Sequence, residues 1–271
     1  MDTTTRVLFI CSEIAPFLPD SEVSIMGRLL PQWAQDNGRE IRSFMPRFGH
    51  VNERRNQLHE VIRLSGLNLI IDDTDHPLII KVASTPGART QVYFIDNDDF
   101  FLRKNGVYDD DGTLFADNDE RSIFFVRGVL ETIKKLRWKP NVVLCQGWFT
   151  FLSTVYMKKA YKDDPVFTRT KIILAFHGND AFEGSLDARL KDKLVMDGIR
   201  AKDVEALNEP TYENLVKFAL SFAHGVIFFG KKDPKVGAWV RKTKLPTLHC
   251  KKPQEELAAC NEFYTQIMRT R

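Results

Sequence analysis

The chain has 271 residues and a formal net charge of +3, with 43% hydrophobic and 28% charged residues. This balance is typical of a soluble globular protein, and it excludes a disordered chain, a collagen-like repeat and a coiled coil. The length suits one large domain or two small ones. The longest apolar stretch, residues 142–157, is shorter than a bilayer span and contains polar side chains, so we expect no membrane segment.

The predicted elements alternate between strands and helices at both ends of the chain, and a series of strand-like runs separates the two ends. The predicted strands are residues 6–12, 40–45, 60–64, 67–71, 77–83, 91–95, 141–145, 171–176 and 226–229. The predicted helices are residues 22–37, 117–138, 148–161, 211–223 and 253–269. This order predicts one α/β, Rossmann-like, doubly wound and mostly parallel sheet with an added β-hairpin region, plus a C-terminal helix.

The segment between Lys231 and Lys252 contains eight basic residues and a single acid. We interpret it as a solvated linker, and the alternative is a patch for phosphates, an anionic polymer or a partner. The predicted organisation is a domain over residues 1–230, a basic linker over 231–252, and a C-terminal helix over 253–271 that packs back on the domain.

The cysteines and the net charge limit the ligands and the cellular compartment that we expect for the chain. The four cysteines form no C-x-x-C pair and no cluster with metal-ligand spacing, and the small net charge gives no reason to expect a nucleic acid partner. The apolar run at residues 7–11 is too short for a signal peptide. These features predict a reduced, cytoplasmic protein with no metal site and no cofactor.

The turn after the first strand lacks the features of a phosphate-binding loop. Such a loop needs glycines, so that backbone N–H groups can approach the anion at the start of a helix. Residues 12–26 contain no glycine, and Pro16, Pro19, Asp20 and Glu22 occupy the turn instead. Because the prolines remove donors and the acids repel phosphate, we expect no nucleotide cradle here.

The other candidate positions are an acid-rich segment and a histidine. Residues 96–119 lack the spacing of a calcium loop, since Val107 stands where a third acid is needed. We expect a solvated turn there, with Asp117 or Asn118 as the N-cap of the long helix. His177 directly follows a buried strand, where binding groups tend to lie, so it is a candidate functional residue with a structural role as the alternative.

Several segments follow one another in an order that is typical of one enzyme family. They include VLFICSEIAPF (residues 7–17) and PNVVLCQGWFTFLS (residues 140–153). The others are residues 45–49, 93–112, 117–131, 172–184 and 214–230. Together they resemble the N-terminal domain of bacterial glycogen synthases and plant starch synthases over roughly residues 5–230.

The resemblance implies transfer of glucose from ADP-glucose to a growing α-1,4-glucan, in a cleft between two Rossmann-like domains. It therefore implies α-glucan or ADP-glucose as ligands. The candidate substrate-binding residues are those that match family positions, namely His177, Trp148, Asp117, Asn118 and Arg121. For Asp117, Asn118 and Arg121 we expect a role in supporting the structure.

The chain departs from the family pattern where the chemistry is expected. The family's K-x-G-G loop falls on residues 19–22, where Pro19, Ser21 and Glu22 replace its lysine and both glycines. In the family's H-D-W-H segment the histidines fall on Gln146 and Phe149. No catalytic residue is carried over, because neither side chain can act as an imidazole.

The length also departs from the family. About forty residues follow Gly230, which is too few for the second domain that holds most of the nucleotide sugar. We therefore expect a glycosyltransferase homologue that is truncated to its N-terminal domain and is not active alone, a pseudoenzyme. The alternative is a non-catalytic glucan-binding or regulatory protein, with a homodimer or a protein partner docked on the exposed cleft face.

Overall fold

The computed structural model describes residues 4–102 and 104–270. The predicted domain over 1–230 and the predicted C-terminal segment over 253–271 also include residues 1–3, 103 and 271, which lie outside the described residues. The described strands are β1 (Arg6–Cys11), β2 (Glu40–Pro46), β3 (His59–Glu60), β4 (Leu67–Ile71), β5 (Thr74–Ser84), β6 (Gln91–Asp96), β7 (Val142–Gln146), β8 (Lys171–Phe176), β9 (Gly225–Phe229) and β10 (Thr247–Cys250). The described α-helices are α1 (Glu22–Asp36), α2 (Asn118–Lys135), α3 (Ser153–Val155), α4 (Leu190–Met196), α5 (Tyr212–Leu220), α6 (Pro234–Thr243) and α7 (Leu257–Arg269).

The strands form one sheet in the order β10-β9-β8-β7-β1-β2-β6-β5-β3, and β4 pairs with β5 beside this path. All pairs from β10 to β6 are parallel, whereas β5 runs antiparallel to β6, β3 and β4. This arrangement confirms the predicted fold class, a mostly parallel α/β sheet with an added hairpin region. Because β1, β7, β8 and β9 are parallel neighbours, their carboxyl ends meet at one edge of the sheet.

The central strands form because their side chains are apolar on both faces. Every residue of β7 and of β9 is buried, as is typical of parallel strands that are covered by helices on both sides. Helix α1 packs against β1, β2 and α7, and α2 contacts β2, β4 and β6. None of the described helices is both long enough and apolar enough to cross a membrane.

Helix α7 lies against the sheet through four buried side chains, Cys260, Phe263, Tyr264 and Ile267. The ring of Tyr264 meets that of Phe9 in β1 edge-on, with the centroids 6.2 Å apart. On the side of α7 that faces α1, Arg39 donates hydrogen bonds to the side chains of Asn261 and Thr265 at 2.9 and 2.7 Å. The helix starts at Leu257, later than the predicted start at residue 253.

The predicted basic linker over 231–252 is wrong, because this segment contains α6 and β10. Helix α6 buries Val236, Gly237 and Val240 on one side, and its basic residues occupy the exposed side. Strand β10 pairs in parallel with β9 and extends the sheet by one strand. Lys235, Arg241 and Lys242 flank the short apolar face of α6 and concealed it, and a strand of four residues is too short to show a period.

Two further predicted elements differ in the structure. The strand predicted at 60–64 is only the two residues of β3, since the chain turns at Val61, whose N–H bonds the carbonyl of Ile80 in β5 at 2.8 Å. The helix predicted at 148–161 is divided into short helical pieces, Trp148–Thr150, α3 and Tyr156–Ala160. Helix α4 was missed, because a seven-residue helix shows too little apolar periodicity.

Candidate functional site

A cleft of about 420 Å³ lies at the carboxyl edge of the sheet, where ligands bind in open α/β folds. The loops after β1, β7 and β8, the start of α1 and the loop over residues 105–108 surround it. Its ionisable and aromatic lining residues are Glu13, Glu22, Tyr108, Trp148, His177 and Asp180. The predicted candidates His177 and Trp148 therefore lie together in this cleft.

The start of α1 is capped by its own side chains. Ser21 is the N-cap, and its hydroxyl accepts a hydrogen bond from the N–H of Ser24 at 2.9 Å, while the Ser24 hydroxyl accepts from the N–H of Ser21 at 2.8 Å. The Ser21 hydroxyl donates to Glu13 at 2.6 Å, and that of Ser24 donates to the carbonyl of Pro19 at 2.9 Å. This capping box engages two of the donors that a phosphate would need.

Replacing Ser21 by alanine removes this cap and is expected to lower the free energy of unfolding by about 1 kcal/mol. Urea denaturation monitored by circular dichroism measures the change. Ser84→Ala is the matched control, because Ser84 is exposed and outside the helices, and it should change the stability by less than about 0.5 kcal/mol. Equal losses in the two variants would contradict the role of Ser21 as a cap.

Glu22, the first residue of α1, places a carboxylate where a helix favours an anion. Its Oε2 accepts a hydrogen bond from the N–H of Gly178, after β8, at 3.4 Å. A Cβ atom at Gly230, which follows β9 with φ of 63°, would lie 2.9 Å from Oε1 of Glu22. The carboxylate thus lies against the ends of two strands and supplies negative charge at the helix start.

Asp180 brings a further carboxyl group to the same cleft. Its Oδ2 accepts a hydrogen bond from the N–H of Trp148 at 2.9 Å. Burial raises the pKa of Asp180 well above its usual range, and the charge of Glu13 raises it further, although the bond from Trp148 opposes both effects. A shift in this direction is typical of a carboxyl group in an acidic, poorly solvated site.

The two positions that replace family histidines are both part of the interior. Gln146 is fully buried and its Nε2 donates to the carbonyl of Val23 in α1 at 2.5 Å, while Oε1 has no partner among the described residues. Phe149 is also buried, and its ring stacks on that of Phe125 with centroids 6.0 Å apart. Between them, Gly147 has φ of 88°, and a Cβ there would lie 2.2 Å from the Ser12 hydroxyl, so only glycine fits.

His177 is a neutral, buried imidazole. Burial lowers its pKa to about 3, and neither ring nitrogen has a hydrogen-bond partner in the part of the chain that the structure describes. The ring stacks on Phe229 with the centroids 5.0 Å apart. A neutral imidazole with both nitrogens unpaired can exchange hydrogen bonds with a ligand hydroxyl, but it carries no charge for a phosphate.

Asn118 and Arg121 lie behind the cleft and hold its rim. Arg121 is fully buried, and its guanidinium donates to the carbonyls of Phe100 and Gly106, each at 2.8 Å, and to Oδ1 of Asn118 at 2.6 Å. The amide of Asn118 donates to the carbonyl of Val107 at 2.7 Å. Burial lowers the pKa of Arg121 to about 10, so the side chain stays charged at neutral pH. These residues position the rim loop and do not line the cleft.

Asp117 and Asn118 do not cap α2 as predicted. Asp117 occupies the N-cap position, but its side chain makes no capping hydrogen bond within the described ranges and pairs with Lys104 instead. The side chain of Asn118 is engaged by Val107 and Arg121. The first turn of α2 is stabilised by its own acidic residues, Asp119 and Glu120, whose charge favours a helix start.

Sequence reasoning missed Glu13, Tyr108 and Asp180 as members of the site. Glu13 lies two residues after β1 and Asp180 four residues after β8, so their place beyond the strand ends was the available signal. Tyr108 comes from a distant loop that only the fold brings to the cleft, where its hydroxyl donates to the carbonyl of Ala181 at 3.3 Å. No cluster of three or more potential metal ligands occurs in residues 4–102 and 104–270.

The mostly parallel sheet, its flanking helices and the cleft at the carboxyl edge define an α/β, Rossmann-like fold of the GT-B type. Residues 6–229 match the family model for the starch synthase catalytic domain, and the chain belongs to this family. The predicted resemblance is thereby confirmed.

Known relatives agree with this assignment. Glycogen synthases from Chlorobium luteolum and Chlorobium limicola are each 34% identical over 192 residues, which cover 70% of this chain and 39% of each relative. The catalytic domain of starch synthase IV from Arabidopsis thaliana, bound to ADP and acarbose, has the same fold with a TM-score of 0.73 and 17% identity. That match covers 94% of this chain and 53% of the other. The chain thus spans about two fifths of the length of these curated relatives.

Proposed function

We propose that this chain is a glycogen/starch synthase-like glycosyltransferase homologue whose own cleft does not catalyse glucose transfer from ADP-glucose. The observation that carries the proposal is the start of α1, where the capping box of Ser21 and Ser24 and the carboxylate of Glu22 stand in place of a phosphate loop.

Electrostatics supports this proposal. Glu13 and Glu22 both line the cleft, and no lysine or arginine is among the described residues that line it. A diphosphate in this position would meet like charges, which repel at about 4 kcal/mol per pair at 4 Å separation near a protein surface. The leaving diphosphate would also lack the cationic groups that normally stabilise it in a transition state.

The replacement of two family histidines independently supports the proposal that the cleft does not catalyse glucose transfer. Gln146 and Phe149 are occupied in packing, so neither contacts a sugar in the cleft. His177 is the single described histidine that lines the cleft, and its lowered pKa keeps it neutral. Positive charge for a nucleotide diphosphate would therefore have to come from groups outside this cleft, either from a second domain or from a partner.

An uncharged glucan is the ligand that suits the cleft better. Carboxylates accept hydrogen bonds from sugar hydroxyls without the repulsion that a phosphate meets, and the exposed ring of Tyr108 offers surface to a sugar. We therefore infer non-catalytic α-glucan binding by Trp148, Tyr108 and His177 as the second candidate function. Docking of a second copy or a regulatory partner on the same face stays a prediction.

Calorimetric titration with ADP-glucose and with a maltooligosaccharide tests both candidates. We expect the unaltered chain to bind ADP-glucose more weakly than about 1 mM. Replacing Glu13 and Glu22 together by glutamine removes two negative charges and is expected to strengthen ADP-glucose binding about tenfold (~1.4 kcal/mol). Maltooligosaccharide binding should not gain from the same change, because that ligand is uncharged.

The matched control is Glu60→Gln, at an exposed position on β3 outside the cleft. It should leave the affinity for either ligand unchanged. Binding of ADP-glucose by the unaltered chain tighter than about 1 mM would overturn the proposal that the cleft is inactive. Absence of maltooligosaccharide binding would exclude the glucan-binding candidate.

A further inference from the structure

Two cysteines outside the cleft lie opposite each other at the edge of the sheet. Cys250 is the last residue of β10, and Cys260 lies in the first turn of α7. Their sulfur atoms are 3.6 Å apart, and both side chains are buried. We propose that Cys250 and Cys260 are a redox modification site that forms a reversible intramolecular disulfide when it meets a small-molecule disulfide.

The geometry requires only a small movement. A disulfide holds its sulfurs about 2.05 Å apart, so the two Sγ atoms must approach by roughly 1.5 Å, which changes of the side-chain torsions and a slight shift of α7 can provide. The segment between them, residues 251–259, is a turn that leads into the helix, and most of its side chains are at least partly exposed. Closing this loop therefore leaves the core of the sheet in place.

The two thiols are chemically unequal, which assigns an order to the exchange. A hydrogen bond joins the two sulfurs, and either can be its donor. With Cys260 as the donor, this bond lowers the pKa of Cys250 and raises that of Cys260. The hydrogen bond outweighs burial and the charge of Glu256, which oppose the lowering of the Cys250 pKa, so Cys250 remains the more acidic thiol of the two. Cys250 is accordingly the first nucleophile and Cys260 the resolving thiol.

The reaction balances as two successive thiol–disulfide exchanges. The Cys250 thiolate attacks one sulfur of the small disulfide, forms a mixed disulfide and releases one thiolate. Cys260, after losing its proton to solvent, attacks the Cys250 sulfur of that mixed disulfide and releases the second thiolate. Both cysteines are oxidised by two electrons together, and the small disulfide is reduced to two thiols.

The start of α7 provides access to the buried sulfurs. Helix α7 begins after Glu256, and no side-chain hydrogen bond caps its first turn in the described part of the chain. The hydrogen bond from the N–H of Cys260 to the carbonyl of Glu256 is long, at 3.4 Å. An uncapped helix start opens locally more easily than the strands beneath it, so the pair can be reached without global unfolding.

The other two cysteines provide an internal control. Cys11 and Cys145 are buried in the central strands β1 and β7, and burial raises the pKa of Cys145 to about 12. Because central strands open only with the whole domain, these thiols should not react under native conditions. The structure therefore predicts that one pair of the four cysteines is oxidised and the other pair is not.

The test is equilibration of the folded chain with oxidised glutathione, followed by acid quench, alkylation in denaturant and mass spectrometry. The expected product has lost two hydrogen atoms, carries a link between the peptides of Cys250 and Cys260, and is alkylated at Cys11 and Cys145. Dithiothreitol should restore four alkylated thiols. In hydrogen exchange, the first turn of α7 should exchange about tenfold more slowly in the oxidised form, because the link suppresses local opening.

Variants separate the proposed pair from nonspecific oxidation. Cys260→Ser should stop at the glutathione adduct of Cys250, and Cys250→Ser should give neither adduct nor link at native pH. Cys260→Ala serves as a second variant should the serine perturb packing, and circular dichroism checks that each remains folded. A chain that keeps four free thiols, or that links Cys11 to Cys145, would overturn the proposal. Because the readout is the thiol state, the result is independent of ligand binding in the cleft.

Discussion

Replacing Arg121 by methionine is expected to lower the free energy of unfolding by about 3–5 kcal/mol. The guanidinium satisfies two backbone carbonyls, of Phe100 and Gly106, together with the side chain of Asn118. Methionine fills a similar length but donates no hydrogen bond, so these buried acceptors would lose their partner. Each acceptor left without a partner costs about 1–3 kcal/mol. The variant no longer has to bury the arginine charge, and the desolvation cost that it saves offsets part of this loss.

Aromatic rings around Arg121 further stabilise its charge and increase the loss of stability that we expect. Its guanidinium lies over the rings of Phe48, Phe101 and Phe115 at 5.4, 5.6 and 5.4 Å from their centroids. Such contacts stabilise a cation by about 0.5–2 kcal/mol, depending on how far it is desolvated. Arg121→Lys keeps the charge but loses the planar fork, so we expect it to recover only a minor part of the loss.

Chemical denaturation of Arg121→Met, with Arg54→Met as the matched control, measures the effect. Arg54 is exposed, so its replacement should change the stability by less than about 0.5 kcal/mol. Because Arg121 holds the rim loop, the variant should also show faster hydrogen exchange over residues 104–108. A loss below about 1 kcal/mol would contradict the structural role that we assign to this side chain.

Most strands of the fold could be predicted because their side chains are apolar on both faces. The predicted bounds of β1, β2, β7, β8 and β9 agree with the structure to within one residue at either end. The sequence did not reveal α6, because its short apolar face is flanked by lysines and an arginine, or β10, because it has only four residues. The long helix was predicted from its apolar spacing, but the spacing could not show that Arg121 on that helix is fully buried.

The candidate site was predictable where it depends on residues next to a strand end. The absence of glycine before α1 predicts no phosphate-binding loop at residues 19–22, and the structure places Ser21 there as the cap of the helix. The sequence could not show that Glu13, Glu22 and Asp180 converge, because they follow or precede different elements. Their proximity depends on the register of parallel strands, which no local pattern records.

The other large effect concerns a buried lysine that joins α4 to the start of α2. Nζ of Lys193 lies 2.6 Å from Oδ2 of Asp119 and 2.7 Å from Oε1 of Glu120, and Asp187 approaches to 3.5 Å. The side chains of Lys193 and Asp119 are 2% and 0% exposed. Burial raises the pKa of Asp119 from 3.8 to about 6 despite the bond from Lys193. The carboxylates raise the pKa of Lys193, so the pair is ionised at neutral pH.

Lys193→Met should therefore destabilise the protein in a pH-dependent way. The folded state of the unaltered chain binds a proton on Asp119 more tightly than the unfolded state, so this group's contribution to stability falls as pH rises from about 4 to about 6. Without the ammonium, the pKa of Asp119 rises further and the window extends upward. We expect a loss of about 3–5 kcal/mol near pH 8, where the carboxylate is buried without its counter-charge, and a smaller loss near pH 5, where it is protonated.

Urea denaturation of Lys193→Met at both pH values measures this difference, which should amount to about 1.4 kcal/mol for each unit by which the variant raises the pKa of Asp119. Lys252→Met is the matched control, since Lys252 pairs with Glu255 at the surface, where both side chains are about 70% exposed. Its effect should stay below about 1 kcal/mol at either pH. A loss in Lys193→Met that is equal at the two pH values would show that packing, and not the buried charge of Asp119, accounts for the role of this lysine.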